Sequence, residues 1–204
     1  MKSIRKSTEF TLRERGSKFY GFLYPCTSIK EFDDHLVKVK NKYPDATHHC
    51  TSYRVLESEI TEFNNDDGEP SGSAGLPILN ALRSAELINC AAIIVRYYGG
   101  TKLGKSGLIE AYGGATNGCI ESAEIAEIKR VVKLKITYQY HQEREIQPLV
   151  RSFNLIENGA EFLENITKLF FCPTEFEQEL IGSLQRLDYL GIKFEKIGYT
   201  FVMN

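Results

Sequence analysis

The sequence predicts an α+β protein in two domains, residues 1–127 and 128–204. Three observations carry this. Apolar patterns of period two and period 3.6 alternate along the chain, with turn signals between them. The texture changes near Glu127, after which a β-α-β-β-α-β order begins that suggests a ferredoxin-like sandwich. A chain of 204 residues that is 42% hydrophobic can fill one large core or two small ones.

The elements follow in order. Glu9 to Arg13 alternates with period two, Gly16-Ser17 turns, and Lys18 to Tyr24 returns, so the opening reads as a hairpin. Ser28 is a candidate N-cap with Glu31 at the capping-box position. The helix that follows puts Ile29, Phe32, Leu36 and Val39 on one face, and Tyr43-Pro44-Asp45 ends it. Thr47 to Leu56 reads as a strand with Glu59 to Phe63 as its partner. Asn64 to Gly75 contains almost nothing apolar and reads as a long polar loop; loops of that length inside compact domains are functional or disordered. Pro77 suits the first turn of a helix running to about Ala85. Cys90 to Tyr98 is apolar enough for a buried central strand. A second glycine-rich loop, Gly99 to Gly107, opens a helix from about Leu108 to Ala123. Beyond Glu127, Val131 to Tyr138 reads as a strand, Glu143 to Ile156 as a helix, and Ala160 to Phe171 as one strand or two. Thr174, with Glu177 at the box position, caps a helix to about Leu190, and Ile192 to Val202 closes the chain as a strand.

Composition excludes several classes. The 25 basic and 27 acidic side chains leave a net charge of −2, and neither side of Glu127 is basic in bulk, so any anion site is local. Five widely spaced cysteines without a CxxC argue against metal knuckles and a disulfide framework. The N-terminus carries no long apolar run that reads as a secretory signal, and the apolar stretch Cys90–Val95 is too short to span a bilayer. A soluble cytoplasmic protein is therefore expected, with no membrane partner.

Several motifs carry chemistry. Gly99 to Ser106 matches GxxxxGK[ST] after an apolar strand and before a helix. No downstream strand ends in an aspartate to hold magnesium, and the βα alternation of a parallel sheet is missing. What survives is a backbone anion site: Gly99, Gly100 and Gly104 let the chain approach an anion, the following helix offers free N–H groups, and Lys102 and Lys105 add charge. Asp66, Asp67 and Glu69 with Ser71 invite a hard-cation reading. The alternative is a turn at Asp67-Gly68 with Ser71 capping the next helix, or a loop ordered by a partner. His48 and His49 share a strand, so their rings face opposite ways and do not easily share a metal. Arg96, at the end of the buried strand, either pairs with Asp66, Asp67 or Glu69 or contacts an anion. Tyr97, Tyr98 and Tyr112 serve either core packing or base stacking. No catalytic triad or paired-carboxylate arrangement follows from order or spacing.

Three stretches then point to a family: Ala46 to Arg54, Asp66 to Leu79, and Val95 to Gly104 continuing through Gly107 to Tyr112. In that order and spacing they resemble the signature of the IMPACT family, in its bacterial YigZ-type branch, over roughly the first 125 residues. Residues after that resemble the smaller C-terminal domain of the same branch on weaker motifs. The resemblance implies an N-terminal domain of the ribosomal-protein/elongation-factor type, with helices on one side of a mixed sheet. It also implies a C-terminal ferredoxin-like domain similar to the last domain of elongation factor G. Eukaryotic members act in translational control by competing for a partner protein in a stress-kinase pathway, through a further domain that this chain lacks. Ser73 stands where Thr is common, Tyr98 where Phe is, Ser106 where Gly is usual, and Glu110 where Arg is frequent. The last change removes a positive charge beside the anion site.

Two functions are expected from these residues. The first is a non-enzymatic, translation-associated regulatory factor that binds RNA, a ribosomal surface or a translation-linked protein. Its anion-binding residues would be Ser71, Ser73, Arg96, Gly99, Gly100, Lys102, Gly104 and Lys105, beside a motif site of His48, His49, Asp66, Asp67 and Glu69. The alternative is an enzyme acting on a phosphorylated small molecule or nucleotide at the same loops. No cofactor and no metal are expected, and the sequence leaves the oligomeric state open.

Overall fold

The computed structural model describes residues 1–56 and 59–203. They form a mixed α/β structure with two sheets, in two compact units, Met1–Glu127 and Ile128–Asn204.

In the first unit, β2 (Thr8–Glu14), β3 (Ser17–Pro25), β4 (His48–Leu56), β5 (Ile60–Asn65) and β6 (Cys90–Tyr97) form a sheet in the order β2-β3-β6-β4-β5. All four pairings are antiparallel. β6 is central because both of its faces are apolar. Ala92 and Ile94 pack with Phe19, Leu23 and Cys50 under α2 (Gly75–Ser84) and α3 (Gly104–Glu121). Ala91, Ile93 and Val95 face the other way, toward α1 (Ile29–Lys42) and its Phe32 and Val39. The arrangement corrects the expectation of a mixed sheet with helices on one side: hairpins and helical connections that return to antiparallel neighbours leave both sheet faces apolar, and each needs a helical cover. α3 lies close over the hairpin because Gly118 faces Phe10, whose ring atom would stand 2.3 Å from an added Cβ. β1 (Lys2–Ile4), too short to leave a periodic signal, pairs with Ile125–Glu127 at the start of β7 (Ile125–Tyr138).

The chain passes from one unit to the other inside β7, not through a loop. In the second unit the order is β8 (Ile156–Phe162), β9 (Ile166–Pro173), β7, β10 (Lys193–Met203), again antiparallel. Val132, Leu134, Ile136 and Tyr138 alternate onto one face and pack on Ile146 of α4 (Glu143–Ser152) and on Leu180 and Leu184 of α5 (Glu177–Arg186).

Local chemistry explains where element limits differ from expectation. Ser28 does cap α1, accepting from Glu31 N at 3.2 Å, but the Glu31 carboxylate turns to Thr27 N at 2.7 Å. α3 starts at Gly104, so Lys105 and Ser106 belong to its first turn and not to a loop. α4 stops at Ser152, and Asn154 adopts a left-handed conformation at φ 50° just before β8 begins. Thr174 does not cap α5: a short 3₁₀ turn, Thr174–Phe176, intervenes, and Glu177 bonds Lys196 and Tyr199 on β10. All five cysteines are buried and free. Among the described residues no helix is long and apolar enough to cross a membrane.

Candidate functional site

The polar loop between β5 and α2 meets the C-terminal end of β6 through Glu69 and Arg96, and Arg96 and Gly99 in turn meet Ser17 after the β2–β3 turn. Its acidic residues are each occupied separately. Asp66 accepts from Gly72 N at 2.8 Å, Gly75 N at 2.8 Å and Ala74 N at 3.0 Å. Burial by itself would raise the Asp66 carboxyl, but these three donors, with the charge of Lys105, hold it below its ordinary value. Asp66 therefore caps α2 from eight and nine residues upstream. The expected capping role of Ser71 is corrected: Ser71 is exposed, and Ser73 is buried with its hydroxyl donating to Pro70 O.

Asp67 takes a left-handed conformation at φ 45°, which turns its carboxylate to accept from His49 N at 2.6 Å and its carbonyl to accept from His48 Nδ1 at 2.7 Å. A carbonyl only accepts, so Nδ1 of His48 carries a proton and donates it to Asp67 O. His49 leaves the opposite face of the strand and donates through Nε2 to Tyr43 O at 3.0 Å; burial lowers its pKa. The two histidines do not meet.

Glu69 is the carboxylate that pairs with Arg96. Its Oε1 accepts from Arg96 Nη1 at 2.6 Å and from the Tyr112 hydroxyl at 2.7 Å, and lies 3.9 Å from His48 Nε2. Arg96 is 5% exposed and Glu69 8%. Arg96 Nη2 also donates to Ser17 Oγ at 3.3 Å, and the same oxygen accepts from Gly99 N at 3.2 Å. Arg96 Nε is buried with no protein partner. Burial, then the neighbouring Cys50 and Glu69, drive the Tyr112 pKa far up, so its hydroxyl stays a donor. Tyr112 is fully buried and cannot stack on a base. With the three carboxylates facing separate partners, the cation cage read from Asp66, Asp67 and Glu69 does not assemble; among the described residues no group of three or more His, Cys, Asp or Glu could hold a metal ion.

The second glycine loop follows directly. Gly99 packs so closely on the β2–β3 turn that an added Cβ would stand 1.9 Å from Gly16 C and 2.3 Å from Ser17 N, both backbone atoms. Tyr98 N donates to Thr47 Oγ1 and the Tyr98 hydroxyl to Gly100 O, which fixes the loop's path. α3 begins without a side-chain cap and without an acidic residue in its first turn. Lys102 and Lys105 are exposed there, and Gly100 and Gly104 at φ 86° and 73° have open space beside them. The expected residues thus fall into two groups. Asp66, Asp67, Glu69, His48, His49, Ser73 and Arg96 form an internally bonded frame. Lys102, Lys105, Gly100 and Gly104 form an exposed edge beside it, Gly99 joins the two at the β2–β3 turn, and Ser71 is exposed and belongs to neither. Ser17 and Thr47, which tie the frame to the edge, carried no signal in the sequence beyond their place beside Gly16 and His48.

The Impact N-terminal domain family matches residues 15–120. The chain is similar to the IMPACT family member YvyE of Bacillus subtilis, 33% identical over 164 residues with 73% of this chain and 76% of that protein covered. It is also similar to the IMPACT family member YigZ of Escherichia coli, 32% identical over 137 residues with 66% of this chain and 67% of that protein covered. Among solved structures, the crystal structure of a hypothetical protein matches 96% of each chain at TM-score 0.70 and 23% identity, a likeness of fold.

Proposed function

The chain belongs to the IMPACT family, and on that premise we propose that it is a non-enzymatic, cytoplasmic, translation-associated factor that binds a phosphate-bearing partner, RNA or a ribosomal surface, at the second glycine loop. The observation that carries the reading is the uncapped start of α3 with Lys102 and Lys105 exposed beside open glycines. Free N–H groups, a positive helix end and two lysines recognise phosphate without reading a base. The frame behind it supports a structural role: Arg96 is held by Glu69 and Ser17, so it positions the loop instead of reaching outward. The translation-associated part rests on the family resemblance. We further read residues 1–127 and 128–204 as two domains. The second is ferredoxin-like, a reading supported by its β-α-β-β-α-β order and its β8-β9-β7-β10 sheet.

Binding of a labelled single-stranded RNA to the full chain, followed against salt, tests the proposal. Lys102→Ala and Lys105→Ala should each weaken binding about equally across sequences and reduce the salt slope by about one. Glu110→Arg should strengthen it. Magnesium-dependent turnover of a nucleotide that disappears in Lys105→Ala would instead establish the enzyme. Wild-type chain that leaves RNA and ribosomes unbound at low salt would remove the phosphate reading.

A further inference from the structure

Beside the glycine loop the first unit has a hollow of about 350 Å³ lined by Gly16, Lys18, Tyr20, Tyr43, Tyr97 and Tyr98. Four of its six lining residues are tyrosines, drawn from β3, the end of α1, and β6 with the residue after it. The rings are already ordered by one another. Tyr20 stacks on Tyr43 with centroids 5.4 Å apart and meets Tyr97 edge-on at 6.1 Å. The Tyr97 hydroxyl donates to Asp45 at 2.7 Å, and that bond, followed by burial, pushes its pKa up to about 12. Tyr98 is tied to Gly100 O and stays 46% exposed. Ordered aromatic faces lose little freedom when a flat ligand settles on them. Lys18 is the charged residue in the lining, and Lys42 Nζ stands 5.3 Å from the Tyr43 ring centroid, where it also pairs with Glu9 at 3.7 Å.

We propose that this hollow takes an unpaired base of single-stranded RNA, whose backbone continues over Lys18 and the Gly99–Gly104 loop. The inference rests on the phosphate-binding reading of that loop and adds what it lacks, a platform for the base itself. The size suits one planar ring system, since ligand hollows begin at about 300 Å³. Stacking accepts any base, because every base has a π-face, while lysine and loop N–H groups hold the phosphates. A proline-rich peptide also seeks tyrosine-lined grooves, but it makes no use of Lys18 or of the adjoining anion edge, so RNA is the occupant the charges favour.

The test measures fluorescence anisotropy of a labelled single-stranded oligoribonucleotide of about ten nucleotides with the full chain at low salt. Tyr97→Leu and Tyr98→Leu, each checked for folding by circular dichroism, should bind about ten-fold more weakly. Tyr97→Phe, which keeps the ring and loses only the hydroxyl, should bind like the wild type. If Tyr97→Leu fails to fold, Tyr98→Leu is read against Tyr98→Phe, which loses only the bond to Gly100 O: weak binding by the leucine variant with wild-type binding by the phenylalanine one supports the base platform, and equal weakening of both overturns it. Leucine variants that bind as tightly as the wild type overturn the proposal, and so does a phenylalanine variant as weak as the leucine one. Saturation of the hollow by a proline-rich peptide, with RNA binding unchanged by that peptide, also overturns it. Loss of binding on Lys102→Ala with none on the tyrosine changes sinks this inference and leaves the phosphate edge standing. A wild-type chain that binds no RNA sinks both.

Discussion

Replacing Glu69 by leucine should open the first unit far more readily than replacing Arg96. Glu69 Oε1 is the acceptor for both Arg96 Nη1 and the Tyr112 hydroxyl, at 2.6 and 2.7 Å. Without it a guanidinium that is 5% exposed loses its counter-charge, while its Nε already lacks a partner. Breaking a buried pair on one side costs about 3–5 kcal/mol, and the stranded Tyr112 hydroxyl belongs to the same network, so the costs do not simply add. We expect about 4 kcal/mol for Glu69→Leu, roughly a thousand-fold rise in the open population. Arg96→Leu should cost less, because Glu69 keeps the Tyr112 hydroxyl as a donor. The triple variant Glu69→Leu, Arg96→Leu, Tyr112→Phe removes every stranded polar group and should recover most of the loss. Native-state hydrogen exchange of the Ile93 and Ile94 amides on β6 reads this unit directly, without assuming one transition for the whole chain. A cost below about 1 kcal/mol for Glu69→Leu, or a triple variant as open as the single one, would refute the reasoning.

Two further outcomes follow from the same bookkeeping of charge and burial. The Asp66 carboxyl titrates below its ordinary value of 3.8 in the folded chain, so its stabilisation is full above that value and is lost as pH falls through the lower, folded one. Exchange at the Gly72, Ala74 and Gly75 amides should accelerate over that acid limb, and Asp66→Asn should remove the pH dependence. In the second unit Lys168 is 8% exposed and lies 3.1 Å from both Glu143 and Glu157, whose side chains are 34% and 46% exposed. Those carboxylates rehydrate easily, so Lys168→Met should cost only about 1 kcal/mol, measured by exchange at Phe170. A loss as large as that of Glu69→Leu would be unexpected.

The strands were legible where alternation or a continuous apolar run extended over enough residues. Cys90 to Tyr98 announced the central strand, and the Gly16-Ser17 turn announced the first hairpin. Lys2–Ile4 is three residues long and offered no period to read. Caps were the least legible feature, because the local pattern S/T-x-x-E says which residues can bond but not which competitors lie nearby. Ser28 kept its role, whereas Thr174 lost its box partner to Lys196 and Tyr199, which are distant in sequence. Three acidic candidates for Arg96 looked equivalent in sequence. Geometry separates them: Asp66 is used by backbone N–H groups, the left-handed Asp67 turns to His49, and Glu69 reaches the arginine. Of the tyrosine hollow only Tyr97 and Tyr98 stood out in the sequence, as core or base-stacking residues; Tyr20 and Tyr43, which complete its wall, come from distant elements that no local pattern joins.

The five buried, unpaired thiols make the chain a clock for its own motions. Cys26, Cys50, Cys90 and Cys119 lie in the first unit and Cys172 in the second. Burial raises every one of their pKa values, so a folded chain offers a thiol reagent almost no thiolate. Labelling must wait for an opening, and mass analysis of the modified peptides reports which element opened. Cys50, on the strand that carries His48 and His49, times the breathing of the frame behind the glycine loop. Cys172, on β9, times the second unit separately. A ligand at the loop would slow the Cys50 hand of that clock and leave the Cys172 hand running, so the native cysteines can locate a binding partner's footprint without any added probe.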